Sequence, residues 1–328
     1  MTTAVLGLGA CAAVLLWRHG VHAPGVALPD YVVTAAPREP LAQPSAALVA
    51  LRRDAAGEPS RVVGVQGVLT PGWNARLGLE GLSGPDALMN RRYRELTEAL
   101  GLPRFLDWRI ITEAETFPRL RPAWAMLGVR YVLDDGSGRA ALASLLPTVA
   151  RADLDVYRDA TAWPRAFFVA AVIPHDDAKA LAARVLAGDG RAFAGVAVED
   201  LRRPEWQAVP QTQNPAPGIP ARRVVLLPNA TRIQIDAPSA GLAVLHEAWL
   251  DGDLEVTRNG APAPALRVNH AFAGVVLPTA GLWELEFRHR PRAWTLSLRL
   301  AAAGIVLLSG TLLWIGLRRG GGAAKTAR

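Results

Sequence analysis

The chain has a single cysteine, Cys11, set inside an apolar run, so an intrachain disulfide and a cysteine-built metal site are both excluded. The redox compartment stays open. Lysine is nearly absent as well: Lys179 and Lys325 are the only two, and the formal charge of +7 rests on arginine. No basic stripe interleaves with aromatics, which excludes the kind of groove a nucleic acid occupies. Neither lysine stands in a Gly-Lys-Ser or Gly-Lys-Thr setting, so a phosphate-cradling loop is excluded too. Gly81-Leu82-Ser83-Gly84 falls one residue short of the Gly-x-Ser-x-Gly turn that exposes a hydrolase serine. The histidines, His19, His22, His175, His246, His270 and His289, include no pair at the helical zinc spacing. Asp251, Asp253 and Glu255 alternate as calcium ligands would, but lack the full spacing of a calcium loop and read as a solvated turn. Pairs such as Glu113 with Glu115, or Asp251 with Asp253, are what any acid-containing chain supplies by chance for glycosidase chemistry. No catalytic residue, metal or cofactor is expected.

What the sequence does have is uncharged length. Residues 300–317 carry no charge and are flanked by Arg299 and by Arg318 and Arg319. As a helix this run covers about 27 Å, close to a bilayer core of about 30 Å. A transmembrane helix over 298–318 is expected, with Trp314 in the interfacial belt and a basic cytoplasmic tail over 319–328. Arg288, Arg290, Arg292 and Arg299 crowd the other flank, so charge asymmetry alone leaves the orientation tied. Residues 3–17 form a second uncharged run, and 1–20 reads as a transmembrane helix or uncleaved signal anchor. Gly7, Gly9 and Ala12 imitate a dinucleotide-binding glycine pattern without its strand or its acidic partner. Pro24, Pro29, Pro37, Pro40 and Pro44 make 21–45 an extended linker.

Between the two apolar runs the pattern is mixed. Helical spacing is expected over 46–56, 87–100 (opened by Asp86), 122–127 and from Asp176 and Asp177 to a stop at Gly188. Strands are expected over 61–65, 129–133, 154–157 and 165–173, the last nearly all apolar as if buried on both faces. Residues 204–220 hold five prolines and no period, which is the composition of a boundary. After it the period becomes two, over 222–227, 231–236, 242–247, 254–258, 270–276 and 282–288, with Asn259-Gly260 as a hairpin turn. The expected fold class is α+β: a mixed α/β domain over 46–203, a linker over 204–220 and a small β-sandwich over 221–291, flanked by N- and C-terminal transmembrane helices.

Several of these stretches resemble the C-terminal part of the bacterial membrane protein YfhO family. They are Gly81-Leu-Ser-Gly-Pro-Asp-Ala-Leu followed by Arg91-Arg-Tyr, Leu127-Gly-Val-Arg-Tyr-Val-Leu133, and Val156-Tyr-Arg-Asp before Trp163-Pro-Arg-Ala-Phe-Phe-Val169. Asn259-Gly-Ala-Pro, Leu266-Arg-Val-Asn-His-Ala-Phe272, Leu277-Pro278 and Gly281 complete the likeness. It implies a polytopic glycosyltransferase of the GT-C class, using a sugar on a polyprenyl phosphate, with a large extracytoplasmic C-terminal region closed by a final span. This chain begins at what resembles the last core helix, so the loop that carries the family's catalytic acid is absent. Trp249-Leu-Asp-Gly-Asp253 also departs from the Tyr-Pro-Gly-Trp-like turn of similar proteins.

The resemblance implies an inner-membrane location with the folded region outside. The expected role is an acceptor-binding or subunit-packing module without its own catalytic site, and the rival is a stand-alone structural or envelope-assembly protein. Expected partners are the lipid bilayer, a multi-helix membrane glycosyltransferase core, a polyprenyl-phosphate sugar or an envelope glycan. Arg91, Arg92, Arg130 and Arg165 are candidate contacts to lipid phosphate, because guanidinium groups bind phosphate bidentately. Trp73 and Trp249 are candidate sugar-stacking residues.

Overall fold

In the computed structural model, residues 45–69, 74, 77–82, 89–105 and 109–323 are described, with backbone alone at 295, 313 and 315–323. The expected N-terminal helix at 1–20 and the linker up to 44 lie outside the described residues, as does Trp73. Residues Ser45–Arg328 form one compact unit.

The first helix, α1 (Ala46–Ala55), starts where the sequence supplies acceptors for its free N–H groups. The Ser45 hydroxyl accepts from Leu48 N–H at 3.2 Å, and the Asp153 carboxylate accepts from Ala47 N–H at 2.8 Å. Its apolar residues Ala47, Leu48 and Leu51 are buried against a four-stranded sheet in the order β1 (Arg61–Gly64), β4 (Val129–Asp134), β6 (Asp155–Arg158), β5 (Thr148–Arg151). Strand β4 feeds two cores in turn: Tyr131 and Leu133 face α1, whereas Val129 and Val132 face the opposite side.

That opposite side holds the largest core, shared with α2 (Arg91–Ala99), α3 (Phe117–Met126) and α5 (Ala178–Leu186). Helix α2 is capped by Asn90, whose side chain accepts from Tyr93 N–H at 3.1 Å, four residues after the cap expected at Asp86. Helix α3 is longer than its sequence signal, because Pro118 suits a first turn and Pro122 is tolerated one turn further in. Helix α5 is capped by Asp177, as the sequence implied. The small pieces β2 (Arg104–Phe105), β3 (Arg109–Ile110) and α4 (Arg139–Ala143) connect these elements.

The second five-strand layer explains why the expected domain boundary fails. Strand β7 (Ala166–Val169) pairs on one side with β10 (Ile219–Pro220) and on the other with β13 (Gly241–Ala248), which continues to β17 (Phe272–Leu277) and β16 (Leu266–Val268). A strand from the first half of the chain therefore sits inside a sheet built by the second half. Residues 204–220 end in β10, an edge strand of this shared sheet, and lie within one compact unit. Strand β7 alternates cleanly: Phe167 and Val169 point into the helical core, Ala166 and Phe168 into the sandwich core. The expected strand 165–173 is in fact two, because after Val169 the chain leaves for a parallel pair, β8 (Ile173–His175) with β9 (Gly195–Ala197).

The sandwich's outer sheet runs β11 (Arg223–Leu227), β12 (Ala230–Ala237), β18 (Gly281–His289), β14 (Leu254–Arg258), β15 (Ala261–Ala263). Ile233, Ile235, Val256, Leu285 and Phe287 fill its inner face. Asn259 and Gly260 turn β14 into β15 with φ of 46° and 80°, the positive angles this tight hairpin requires. The molecule is thus a mixed α+β fold with several sheets, including a β-sandwich.

The last helix, α6, is continuous from Trp294 to Ala323, beginning earlier than the expected span and running into the expected tail. Taken over the described residues alone, no helix is long and apolar enough to cross a membrane.

Candidate functional site

Two buried polar clusters and one cleft hold the residues able to do chemistry. The first cluster starts from Arg61, the residue that opens β1 just before the buried pair Val62-Val63. Its guanidinium donates to the Leu127 carbonyl at 2.6 Å and to the His246 carbonyl. Burial, reinforced by nearby Arg165, pulls its pKa down to about 10. Arg165, at the entry to β7, lies 3.0 Å from Glu80 and 3.2 Å from Glu247, and its Nε is buried without a partner. Glu247 also accepts from the Thr231 hydroxyl.

His246 sits beside them on β13, 1% exposed, with neither ring nitrogen bonded. Trp163 stacks on it at 5.7 Å and 23°, while Phe167 and Phe272 close the cage at 5.3 and 4.7 Å. Burial, then the charges of Arg61 and Arg165, hold its pKa well below the ordinary histidine value. The ring is neutral at physiological pH. It acts as an aromatic filler whose nitrogens have no acceptor or donor to shuttle a proton to, so a general-base role is not supported by the geometry.

The second cluster surrounds the turn into β17. Asn269 and His270 both take left-handed backbone, φ 47° and 65°, an unusual conformation for two successive non-glycine residues. Asn269 compensates by accepting from Gly195 N–H at 2.6 Å and donating to the Phe193 carbonyl at 3.1 Å. His270 Nε2 meets Glu95 on α2 at 2.8 Å. Burial lowers the His270 pKa against the opposing hydrogen bond from Glu95. Arg267 ties β16 to Asp200 and Glu199 at 2.9 and 2.7 Å. His175 packs nearby, its Nδ1 3.0 Å from the Asp177 carbonyl and its Nε2 buried without a partner, and burial lowers its pKa as well. These contacts pin α2 and the Glu199–Asp200 turn to the sheet; no nucleophile stands among them.

The sequence candidates divide between these places. Arg130 and Arg165 line one cleft of about 690 Å³ together with Glu58, Glu80, Arg222 and Arg223. Arg130 is paired with Glu58. Arg91 and Arg92 lie instead on the first turn of α2, 3.7 and 3.4 Å from Glu95. Trp249 is partly buried against the sandwich core, and its backbone carbonyl accepts from the Asn90 side chain at 2.9 Å. The four arginines therefore do not form one lipid-phosphate site. A smaller hollow shares Arg130 and Arg165 with the cleft and reaches down to Arg61, Trp163 and His246.

Among the described residues no group of three or more histidine, cysteine, aspartate or glutamate side chains could hold a metal ion. The turn weighed for calcium serves the chain itself. Asp253 accepts from Arg292 N–H at 2.9 Å through its carboxylate and from Arg290 N–H at 2.7 Å through its carbonyl, while Arg292 Nε donates to the Gly252 carbonyl at 2.8 Å.

Sequence reasoning missed the placing of Arg61, His246, Glu80, Glu247, Arg267 and His270 in these clusters. The one available signal was a lone polar residue inside an apolar run, as in Leu242–Leu245 followed by His246. No family model, no curated protein and no solved structure matches this chain.

Proposed function

We propose that this chain is a membrane-tethered folded module, akin to the C-terminal part of YfhO-like glycosyltransferases. In this reading it packs on a multi-helix membrane partner or guides an acceptor glycan, and does not catalyse alone. The observation that carries the reading is the state of α6. Every large apolar side chain described on it, from Trp294 to Trp314, is at least half exposed, Val306 reaching 69%. A helix this apolar, with its described large side chains left uncovered, has the composition expected of a bilayer helix, which supports the reading.

Its dimensions agree. Trp294 and Trp314 are twenty residues apart, about 30 Å along a helix, which equals the hydrocarbon thickness between two interfacial belts. Arg299, one turn inside the first tryptophan, is placed to extend its guanidinium back to the headgroups. The Asp253 contacts to Arg290 and Arg292 hold the exit of α6 against the body. The body then faces the extracytoplasmic side of the bacterial inner membrane, the orientation the family resemblance implies.

The full chain expressed in bacterial membranes should resist alkaline extraction and copurify with a multi-helix protein in mild detergent. It should transfer no sugar from a polyprenyl-phosphate donor when purified alone. Clean separation from every membrane partner would favour the stand-alone envelope-assembly reading, and unaided transfer would overturn the non-catalytic one.

A further inference from the structure

We propose that the free edge of β11, with the cleft along it, receives one extended acidic strand of a partner protein. This inference rests on the packing-module reading and names the chemistry of what is packed. The lining of the 690 Å³ cleft includes every consecutive residue from Pro220 to Leu226. On β11 this unbroken series differs from what the sheet face takes of the same strand. The contrast lies on the same strand: a hollow of about 470 Å³ on the sheet face touches Arg223 and Val225 and skips Val224. That second hollow is floored by Arg232 and Glu286, paired at 2.7 Å, and reads as a solvated face.

Among the described residues strand β11 pairs only with β12, leaving one row of its backbone groups without a strand partner. Its sequence, Arg-Val-Val-Leu-Leu, is apolar for an edge, and Leu226 and Leu227 are exposed. Such an edge is a template for pairing unless something covers it. The opposite wall of the cleft, residues 56–59 and 164–166, is tied to the strand's entry by Ala221 N–H donating to the Ala166 carbonyl at 2.9 Å. Arg130, Arg165, Arg222 and Arg223 line the cleft; the first three are paired, with Glu58, with Glu80 and Glu247, and with Asp236, which leaves Arg223 as its one uncompensated positive charge. Arg223 has no charged partner among the described residues. Backbone pairing supplies affinity in this mode of recognition, and the arginines select carboxylates.

The test uses the full chain in lipid nanodiscs, with short acidic β-prone peptides as probes and fluorescein-labelled Glu-Val-Thr-Val-Glu-Val as the lead. The expected results are saturable binding, slowed amide exchange over residues 223–227, no binding of the Lys-for-Glu peptide, and at least a tenfold loss in Arg223→Glu at unchanged thermal stability. Absence of binding by every acidic peptide up to about 1 mM overturns the proposal. So does binding that Arg223→Glu leaves intact. Protection in the free protein of those amides of 223–227 that do not bond β12 would show the edge to be covered by the chain itself or by a second copy, and would overturn the proposal. Binding of an acidic polysaccharide, lost in Arg223→Glu but without amide protection, would assign the cleft to a glycan and end the strand proposal. If the chain proves soluble without any amphiphile, the tether reading fails, yet the same titration in plain buffer still decides this one.

Discussion

The sandwich core and α6 are built from the same leucines, valines and isoleucines and treat them in opposite ways. Leu242, Val244 and Leu245 on β13 are fully buried, whereas Leu300, Ile305 and Leu307 on α6 are 64, 66 and 63% exposed. The difference teaches what each surface was selected to meet. In β13 the side chains alternate between two protein cores, so both faces are spoken for. Among the described side chains of α6 no face is favoured, and each large apolar one is at least half exposed. Burial of this kind stabilises by about 25 cal/mol per Å² of apolar surface removed from water, a gain α6 leaves uncollected unless lipid surrounds it.

The sharpest way to break the comparison is one substitution made in both places. Leu245→Asp buries an unpaired charge and should abolish folding in any solvent, read as loss of cooperative unfolding by circular dichroism. Leu307→Asp should leave the body's melting unchanged in detergent but release protein from membranes, since aspartate at a helix centre costs about 2.5–3.5 kcal/mol of insertion. Equal unfolding by both would mean that α6 packs on the body.

Next in size is a contrast of ion pairs within the body. Arg121 holds the fully buried carboxylate of Asp159 through two bonds of 2.9 Å, with Thr161 supplying two more. Arg121→Ala should cost about 3–5 kcal/mol by denaturant titration, because it leaves a buried charge alone. Arg222→Ala, which breaks an exposed pair with Asp236, should cost under about 0.5 kcal/mol.

Acid should then separate the body from α6, which carries no histidine. Burial lowers the pKa values of His175, His246 and His270, so the unfolded chain binds protons that the folded one refuses. Stability is therefore complete above about pH 6.5, the ordinary histidine value, and falls as pH drops below it, by about 1.4 kcal/mol for each pKa unit of separation. His246→Phe keeps the aromatic cage and removes two unbonded nitrogens, so its melting temperature should fall less between pH 7 and 5 than that of the parent. An unchanged acid limb in this variant would show that His246 is not a source of the loss.

An effect between those of the two ion pairs concerns the cap of α2. Asn90→Ala should cost about 1 kcal/mol, because it removes the acceptor for Tyr93 N–H together with the bond to Trp249.

What could be read from the residues alone was local. The alternation of Thr231, Ile233 and Ile235 announced β12, Asn259-Gly260 announced its hairpin, and Asp177 announced the start of α5. What could not be read was which strand lies beside which. Ala166 pairs with Leu245, a partner nearly eighty residues away, and nothing near Ala166 encodes that choice. The proline-rich 204–220 consequently looked like a boundary when it ends in an edge strand of the shared sheet. The candidate site was half legible: Arg130 and Arg165 do share a cleft, but Arg61 and His246 beneath them are single polar residues in apolar runs. Trp249 reads as a platform because it is an aromatic in a polar turn, and only the fold shows it packed on the sandwich core.

The most direct test of the account is cysteine scanning along α6 in a Cys11→Ser background, labelling intact membranes with a bilayer-impermeant maleimide. The account predicts reaction at Arg292→Cys from the extracytoplasmic side and protection at each position from Leu300 to Leu312. Uniform labelling across Leu300 to Leu312 would contradict it.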